Sequence, residues 1–407
     1  MHILFLSHYF PPEVNATAGR TYDHAVRWAR QPDVKVTVIT NHPSHPRGKI
    51  FPGHRNRALT RENVDGIEVF RVKGLFAANA GRLRRMLSFL FFVLAIWPAV
   101  LRAGRPDLVV ATSPQLLCAL AGLLTAWCKR RPFVMEVCDI WPESIVSVGV
   151  MQEGVFIRLL EKLETFLYDH AALIVTATQG IKDVLVQRGI EARKIVAITN
   201  GVDLERFRPE PIPAEIEQRV RAGDKFLASY IGTVGLAHGL EVLIDVARLL
   251  RDQTHIQILV VGDGAAWQAL ADGAASLDNL HVLPAVSKEE VKYYYAASDV
   301  CLVLVKKDPL FQASLPSKVF ELMAMSRPII HSVPGGEFER LIAEAGCGDM
   351  VEPEDAQGLA DSIMRLAGEP GRRAAMGRAG RAYVTAHYTR DHLAARYLAA
   401  LRKVVRP

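Results

Sequence analysis

The sequence predicts an α/β protein made of two similar domains, each a parallel β-sheet with helices on both faces. Two observations predict this class. Short runs rich in Val, Ile and Leu alternate with helical stretches along most of the 407 residues, as in βαβ units. The same alternation begins again after Pro209, Pro211 and Pro213, and prolines this close together are typical of linkers. Rossmann-like sheets bind ligands at the carboxyl ends of their strands, so the two domains are expected to face a central cleft.

The first half of the chain shows the alternation in order. A strand is predicted at residues 1–7, without the basic start or small-residue cleavage site of a signal peptide. A helix at 20–30 and a strand at 33–40 follow it. Further strands are predicted at residues 108–111, 132–137, 172–177 and 194–198, with helices at 115–127 and 179–188.

The second half repeats the pattern. Its strands are predicted at residues 225–231, 256–261, 280–283 and 300–304. Ser287 and Glu290 form a capping-box pattern, and a helix at 389–405 ends the chain with small and apolar residues suited to docking. We therefore predict an N-terminal domain at 1–208, a C-terminal domain at 209–384, and a segment at 385–407 that packs back on the N-terminal domain.

Composition excludes several classes of protein. With 50% hydrophobic and 23% charged residues, the chain is typical of a packed globular protein rather than a disordered one. The five cysteines are odd in number and include no Cys-x-x-Cys pair, which indicates buried thiols in a reducing compartment. No Asp-x-Asp metal motif occurs. We predict neither a metal site nor a nucleic-acid partner.

A basic and apolar segment at residues 71–105 predicts contact with a membrane surface. Residues 71–106 hold seven basic side chains and no acid, although the net charge of the whole chain is only +6. The uncharged run at 86–101 is too short to span a bilayer and contains Pro98. An interfacial helix fits better, and a core helix packed on a sheet is the alternative. Arg82, Arg84 and Arg85 are predicted to meet anionic lipid head groups. Phe89, Phe92 and Trp97 are predicted to enter the acyl boundary.

A predicted helix start at Pro316-Ser317-Lys318 has the character of an anion site. Ser317 is a natural N-cap residue, and free amide groups at a helix N-terminus favour phosphate. Lys318 adds positive charge, and Glu321, about one turn further, could accept hydrogen bonds from ribose hydroxyls. The alternative is an ordinary capped helix with a solvated lysine and glutamate.

Several motifs together resemble those of the nucleotide-sugar glycosyltransferases of family 4, which have the two-domain GT-B fold. They are Tyr9-Phe10-Pro11-Pro12-Glu13 before Gly19-Arg20, Asp139-Ile140-Trp141-Pro142-Glu143-Ser144, Asn200-Gly201-Val202-Asp203, Gly262-Asp263-Gly264, and Pro316-Ser317-Lys318 with Glu321 and Arg327-Pro328. The resemblance covers nearly the whole chain. It is greatest to bacterial transferases of O-antigen or capsule assembly, such as L-fucosamine transferases.

The resemblance implies a site for the donor. The helix start at Ser317, Lys318 and Val319 would hold the UDP diphosphate, Glu321 would bind the ribose, and Gly262 would lie in the same site. Gly19 would let the N-terminal loop approach the phosphates, and Arg20 beside it would contact the diphosphate or the acceptor, unless it is simply solvated. Thr233 and His238 stand where many relatives carry an arginine and a lysine.

Two departures from the family pattern bear on mechanism. Ala313 stands where the family has the first glutamate of its pair, so the residue that reads the donor sugar is left open. Cys138-Asp139 replaces a His-Asp pair, and Asp139 is expected to orient or deprotonate the acceptor hydroxyl. Its alternative role is capping a helix before Pro142. The predicted catalytic residues are thus Asp139, Lys318 and His238, the last when protonated.

The activity implied by the resemblance is sugar transfer with retention of anomeric configuration, without metal or cofactor. The donor would be a UDP-sugar that carries an N-acetylated aminosugar. The acceptor would be an undecaprenyl-diphosphate-linked saccharide of O-antigen, capsule or lipopolysaccharide synthesis. Such an enzyme would be cytoplasmic and peripheral on the inner face of the cytoplasmic membrane. A UDP-sugar 2-epimerase of the same fold and a noncatalytic sugar-nucleotide-binding subunit are the alternatives.

Overall fold

The chain forms two compact units. The computed structural model describes residues 1–13, 15–45, 48–76, 82–143, 154–221, 223–308, 312 and 315–405, and for residues 82–85 it describes the backbone alone. Unit 1 comprises Met1–Asn200 with Arg390–Pro407, and unit 2 comprises Gly201–Thr389. Each unit is built on one sheet with helices packed against it. The predicted α/β class with two Rossmann-like domains is therefore confirmed.

The described part of unit 1 contains one eight-stranded sheet. Its strands are β1 (His2–Leu6), β2 (Lys35–Asn41), β3 (Leu59–Val64), β4 (Ile67–Val72), β5 (Leu108–Ser113), β6 (Phe133–Val137), β7 (Leu173–Thr176) and β8 (Ile195–Ala197). They lie in the order β3-β4-β2-β1-β5-β6-β7-β8, all parallel except the β3–β4 hairpin. Every residue of β5 is buried, as expected for a parallel strand covered on both faces.

Six helices of unit 1 precede the boundary in the ranges described. They are α1 (Ala16–Ala29), α2 (Arg82–Ala95), α3 (Trp97–Arg102), α4 (Leu116–Lys129), α5 (Val155–His170) and α6 (Gln179–Gln187). Helix α1 begins before its predicted start because the side chain of Asn15 accepts a hydrogen bond from the N–H of Ala18, 2.8 Å away. The apolar run at 86–101 divides into α2 and α3, with Pro98 in the first turn of α3, where its missing N–H is tolerated.

Unit 2 has a six-stranded parallel sheet in its described residues. Its strands are β9 (Phe226–Ile231), β10 (Ile256–Gly262), β11 (Leu280–Pro284), β12 (Val300–Leu304), β13 (Ile329–Ser332) and β14 (Gly348–Met350), in the order β11-β10-β9-β12-β13-β14. Its helices are α7 (Ala214–Val220), α8 (Val242–Leu249), α9 (Trp267–Ala274), α10 (Val291–Ala297), α11 (Lys318–Ala324), α12 (Gly336–Ala345), α13 (Ala356–Gly368) and α14 (Pro370–His387).

The final helix, α15 (Arg390–Val405), belongs to unit 1. It packs on α1, where the indole N–H of Trp28 donates a hydrogen bond to the Ala394 carbonyl at 2.9 Å. The ring of Trp28 also meets that of Tyr397, with 5.0 Å between centroids. The end of the chain thus completes the fold of the first unit.

The boundary between the units falls at Asn200–Gly201, earlier than the proline-rich position predicted at 208–209. Val202 and Phe207 are buried in a hydrophobic core of unit 2. The N–H of Val202 also donates a hydrogen bond to the Tyr388 carbonyl at 2.9 Å. Because these contacts tie residues 202–207 to unit 2, the prolines that follow lie inside that unit.

Candidate active site

Glycines line the carboxyl ends of β9 and β10 in unit 2. A Cβ atom at Gly262 would lie 1.8 Å from the carbonyl oxygen of Gly232, and one at Gly264 would lie 2.4 Å from that of Val234. Gly264 also has a φ of +154°, which L-residues with a side chain rarely adopt. Only hydrogen fits at these positions, so the turns that follow β9 and β10 approach each other closely.

Lys318, the first residue of α11, lies against this glycine-lined turn. Its ammonium is 3.7 Å from the centroid of the Tyr230 ring, a cation–π distance, and 3.6 Å from the position of a Cβ built on Gly232. Burial lowers the pKa of Lys318 to about 7. The structure thus brings together Lys318 and Gly262, two residues predicted from the sequence, and adds Tyr230, which the sequence reasoning missed.

Glu321 lies one turn further along α11. Its carboxylate accepts a hydrogen bond from the Tyr295 hydroxyl at 3.2 Å. Tyr295 is buried, and burial followed by the charge of Glu321 raises the pKa of its hydroxyl well above the ordinary value. The hydroxyl therefore stays protonated and positions Glu321 as an acceptor.

Two details of the predicted helix start are wrong. Ser317 is the N-cap residue, but it has an αR backbone and its side chain makes no capping hydrogen bond, because capping requires an extended conformation at that position. Val319 has its side chain in the core, and its N–H already donates to the Pro316 carbonyl at 3.1 Å. Its amide is thus engaged within the turn instead of pointing freely at an anion.

Thr233 and His238 lie on the loop after β9. Thr233 is exposed, and its carbonyl oxygen accepts a hydrogen bond from the Tyr230 hydroxyl at 2.8 Å. His238 ends a short 3₁₀ turn at Leu236–His238. Burial, followed by the charge of Lys318, lowers its pKa. The protonated His238 predicted as a catalytic charge is therefore disfavoured in the ligand-free protein.

Asp139 follows β6 at the carboxyl edge of the unit 1 sheet. Its side chain is exposed, and β6 lies between β5 and β7 in that sheet. The neighbouring Cys138 thiol has its pKa raised to about 12 by burial and by the charge of Glu136, so it remains protonated and is not a nucleophile. Asp139 is thus an exposed carboxylate at this edge.

The alternative of a solvated Arg20 is wrong, and its contact with a ligand stays a prediction. Its guanidinium is buried and donates to the Glu136 carboxylate at 3.0 Å, to the Ile198 carbonyl at 2.7 Å and to the Asn200 side chain at 3.0 Å. Glu136 is itself fully buried within β6. Because a buried carboxylate needs a cationic partner, Arg20 serves to hold α1, β6 and the end of unit 1 together.

The loop after β1 completes the same edge. Gly19 lies in the first turn of α1, and nothing lies within 4 Å of a Cβ built on it. Glu13, which is buried, accepts hydrogen bonds from the N–H groups of Ser44 and His45 at 2.9 and 2.8 Å. His8 is buried, and burial followed by the charge of His45 lowers its pKa to about 3. Neutral His8 and bonded Glu13 shape the loop, whereas the space beside Gly19 stays open.

The structure corrects which residues of the segment 71–105 can meet a membrane. Phe92 is buried, with its ring centroid 5.2 Å from that of His8, so its predicted surface role is wrong. Phe89 and Trp97 are half-buried, against His8 and the core respectively. Arg71 is buried too, with its guanidinium 2.7 Å from the Glu62 carboxylate. The exposed apolar side chains of α2 are instead Met86, Leu87, Leu90 and Leu94.

Some predicted residues lie outside what the structure describes. Ala313 is one, and the side chains of Arg82, Arg84 and Arg85 are the others, although the backbone of these arginines forms the first turn of α2. Across the described ranges, no helix combines the length and the apolar character needed to cross a bilayer.

Two protein-family models match the chain, one in each unit. The model described as a glycosyl transferase 4-like domain matches residues 17–201. The model described as glycosyl transferases group 1 matches residues 226–369. The first match contains Asp139, and the second contains Lys318.

Two curated relatives are also named as glycosyltransferases. The probable glycosyltransferase WbjE of Pseudomonas aeruginosa is 30% identical over 274 residues, which are 64% of this chain and 66% of WbjE. The putative colanic acid biosynthesis glycosyl transferase WcaI of Escherichia coli K12 is 24% identical over 375 residues, which are 89% of this chain and 91% of WcaI.

Solved structures share the fold at low sequence identity. The sucrose-phosphate synthase of Thermosynechococcus elongatus gives a TM-score of 0.78 at 17% identity, over 99% of this chain and 98% of the synthase. HepE of Anabaena, crystallised with UDP, gives a TM-score of 0.71 at 16% identity, over 99% of this chain and 100% of HepE. Because a glycosyltransferase domain occupies each unit and the relatives are glycosyltransferases, the chain belongs to the family 4 glycosyltransferases with the GT-B fold.

Proposed function

We propose that this protein transfers a sugar from a UDP-sugar to a hydroxyl of an undecaprenyl-diphosphate-linked saccharide, with retention of configuration, in bacterial surface polysaccharide synthesis. The donor sugar in this proposal is an N-acetylated aminosugar of the L-fucosamine type. The name of WcaI, which refers to colanic acid biosynthesis, supports a role in surface polysaccharide assembly. The HepE structures with UDP and with UDP-glucose support a nucleotide-sugar donor.

The observation that carries the proposal is the position of Lys318. Its ammonium lies beside Gly232 at a turn where side chains are excluded, and Glu321 follows on the same helix. Expelling UDP from an oxocarbenium-like centre requires stabilisation of a departing diphosphate, which a preorganised cation supplies. The proposed reaction needs neither a metal ion nor a cofactor.

Asp139 is the residue proposed to act on the acceptor. It is an exposed carboxylate at the carboxyl edge of the unit 1 sheet, the edge at which Rossmann-like sheets bind ligands. In the proposed step it orients the acceptor hydroxyl and accepts its proton as the new glycosidic bond forms. Because the acceptor carries a lipid, we also propose that the protein works as a peripheral protein on the inner face of the cytoplasmic membrane.

Mass spectrometry of reaction products tests the proposed transfer. The full chain is incubated with a panel of UDP-sugars, each with and without an undecaprenyl-diphosphate-GlcNAc acceptor. A product heavier by one sugar supports the proposal. An epimerised UDP-sugar without acceptor would point to the epimerase alternative, and no product with any donor would leave only the noncatalytic alternative.

Two substitutions then test the assigned residues. Asp139→Asn is expected to lower turnover about a hundredfold or more without weakening UDP binding, because it removes a proton acceptor and keeps the shape of the side chain. Asp252→Asn, at another exposed aspartate, is the matched control. Full turnover by Asp139→Asn would exclude the role proposed for this carboxylate.

A further inference from the structure

Three neighbouring helices of unit 1 present an apolar outer surface. Helix α4 contacts α2 and α5, and the inner sides of all three helices pack in one hydrophobic core. Helices in such a position normally turn polar residues outwards. We call the outward surface of these three helices the outer helical face and define it by its exposed apolar side chains, Leu90, Leu94, Trp127, Val155, Leu159 and Phe166.

Helix α5 departs most from the normal pattern. Ile157, Leu160 and Leu167 form its buried side. Val155 and Leu159, which are 83% and 62% exposed, lie on the opposite side with Phe166, as the 3.6-residue period of a helix requires. The helix is thus apolar towards solvent as well as towards the core, and the fold of unit 1 accounts only for the buried side.

An aromatic cluster joins α5 to α4. Trp127, at the C-terminal end of α4 and 51% exposed, has its ring centroid 6.2 Å from that of Phe166 and 5.6 Å from that of His170. The apolar stripes of the two helices are therefore continuous at this end. Tryptophan with one polar atom on a large ring is the side chain typical of the boundary between lipid and water.

Positive charge stands at both ends of the outer helical face. Residues 71–135 contain ten basic residues and a single acid, Asp107. The first turn of α2 carries three of the arginines. At the other end, Arg102 is the last residue of α3, Arg105 follows it, and Arg130 and Arg131 follow α4, all four exposed. The Lys129 ammonium donates to the Gly104 carbonyl at 2.8 Å, which holds the two basic stretches next to each other.

Charge on α5 itself is balanced. Arg158 and Lys162 are exposed, and so are Glu161 and Asp169. This helix therefore adds apolar area to the outer helical face, while the attraction for anionic head groups comes from the cations near the ends of α2, α3 and α4. Apolar area framed by cations is the combination that binds an anionic bilayer at its interface.

We propose that the outer helical face docks on an anionic lipid bilayer, with α5 and the C-terminal end of α4 inserting beside α2. The proposal rests on the proposed function in so far as a lipid-linked acceptor lies in the bilayer. It extends the membrane contact beyond the segment 71–105 to a helix far from it in sequence. Helix α2 connects the face to the candidate site, because Phe89 on α2 contacts His8 in the loop after β1, with 4.8 Å between ring centroids.

Vesicle flotation of the full chain tests this proposal. The vesicles are phosphatidylcholine alone or phosphatidylcholine with phosphatidylglycerol. The test variant combines Leu159→Gln with Phe166→Gln on α5, and the matched control combines Leu249→Gln with Met350→Gln, two similarly exposed residues of unit 2. We expect the wild type and the control to bind the anionic vesicles, and the α5 variant to bind them about tenfold more weakly.

Three results would overturn the proposal: equal flotation of the α5 variant and the wild type, equal flotation on both kinds of vesicle, or an equal loss in the control. Gel filtration without vesicles gives a fourth. If the wild type self-associates and the α5 variant does not, the face is an interface between copies of the chain. Transfer to a water-soluble acceptor analogue is measured separately, so that an inactive protein that still floats contradicts the proposed function and leaves the docking proposal intact.

Discussion

Replacing Arg20 by methionine should destabilise unit 1 strongly, because it leaves the Glu136 carboxylate buried without its cation. Glu136 has no exposed surface, and the Arg20 guanidinium lies 3.0 Å from it. Removing one member of a buried ion pair costs about 3–5 kcal/mol. The hydrogen bonds to the Ile198 carbonyl and the Asn200 side chain are lost as well. Since a domain is stable by only about 5–15 kcal/mol, this loss is a large part of the total.

Urea unfolding followed by intrinsic fluorescence measures the effect on the correct unit. Of the five tryptophans, only Trp267 lies in unit 2, so the emission reports mainly on unit 1. Arg27→Met is the matched control on the same helix. The Arg27 side chain is 14% exposed and also pairs with Asp23, but its partner Asp391 is 80% exposed. Losing Arg27 therefore leaves no buried unpaired carboxylate comparable to Glu136 and should cost less. The double variant Arg20→Met with Glu136→Leu removes both charges and should recover most of the stability lost.

The contrasting outcome is well defined. If Arg20 bound the donor diphosphate instead, Arg20→Met would unfold at the same urea concentration as the wild type and lose affinity for UDP. A double variant as unstable as Arg20→Met alone would also refute the reasoning, because the unpaired carboxylate would then not be the source of the loss.

Three further predictions concern residues assigned to donor binding. Because burial holds the pKa of Lys318 at about 7 instead of its ordinary 10.5, the unfolded chain binds more protons than the native protein between these values. The free energy of unfolding should therefore rise with pH across this window, while UDP affinity should fall across it. Titration calorimetry at pH 8 should detect proton uptake on UDP binding, and Lys318→Met should lower it. Gly262→Ala, whose Cβ would meet the Gly232 carbonyl at 1.8 Å, should lower the free energy of unfolding by about 1–3 kcal/mol or more. A Cβ built on Gly19 has no atom within 4 Å, so Gly19→Ala should leave the free energy of unfolding unchanged or slightly raised. The same variant should bind the UDP-sugar more weakly. An affinity equal to that of the wild type would contradict the role of Gly19.

The fold could be predicted where a single sequence pattern determines the secondary structure. Continuous apolar runs such as residues 108–111 and 300–304 became β5 and β12 because parallel strands are buried on both faces. The β3–β4 hairpin was missed, although Asp65-Gly66 between its strands is a turn signal and both residues have positive φ. The prolines at 209–213 did not mark the boundary between the units. Val202 and Phe207, which precede these prolines, are buried in the core of unit 2 and therefore belong to that unit.

Side-chain roles that depend on distant partners were not predictable. Arg20 stands 116 positions before Glu136 in the chain, and nothing near either residue indicates that they pair. The run at 86–101 is apolar on nearly every side, so its periodicity could not separate buried Phe92 from Leu94, which is 66% exposed. Val155, Leu159 and Phe166 show their exposure only when the buried side of α5 is known.

A sequence motif can single out a residue such as Lys318 without revealing its protonation state. From the sequence, Lys318 is expected to add positive charge at a phosphate site, with a solvated lysine as the alternative. In the structure the ammonium lies over the Tyr230 ring, and its pKa of about 7 leaves it only partly protonated at neutral pH. His238, the second expected cation, has its pKa lowered by burial and by Lys318. An arriving diphosphate favours the charged form of both side chains. In the proposed function, the bound diphosphate would therefore produce much of the positive charge that holds it, and donor binding would be coupled to proton uptake.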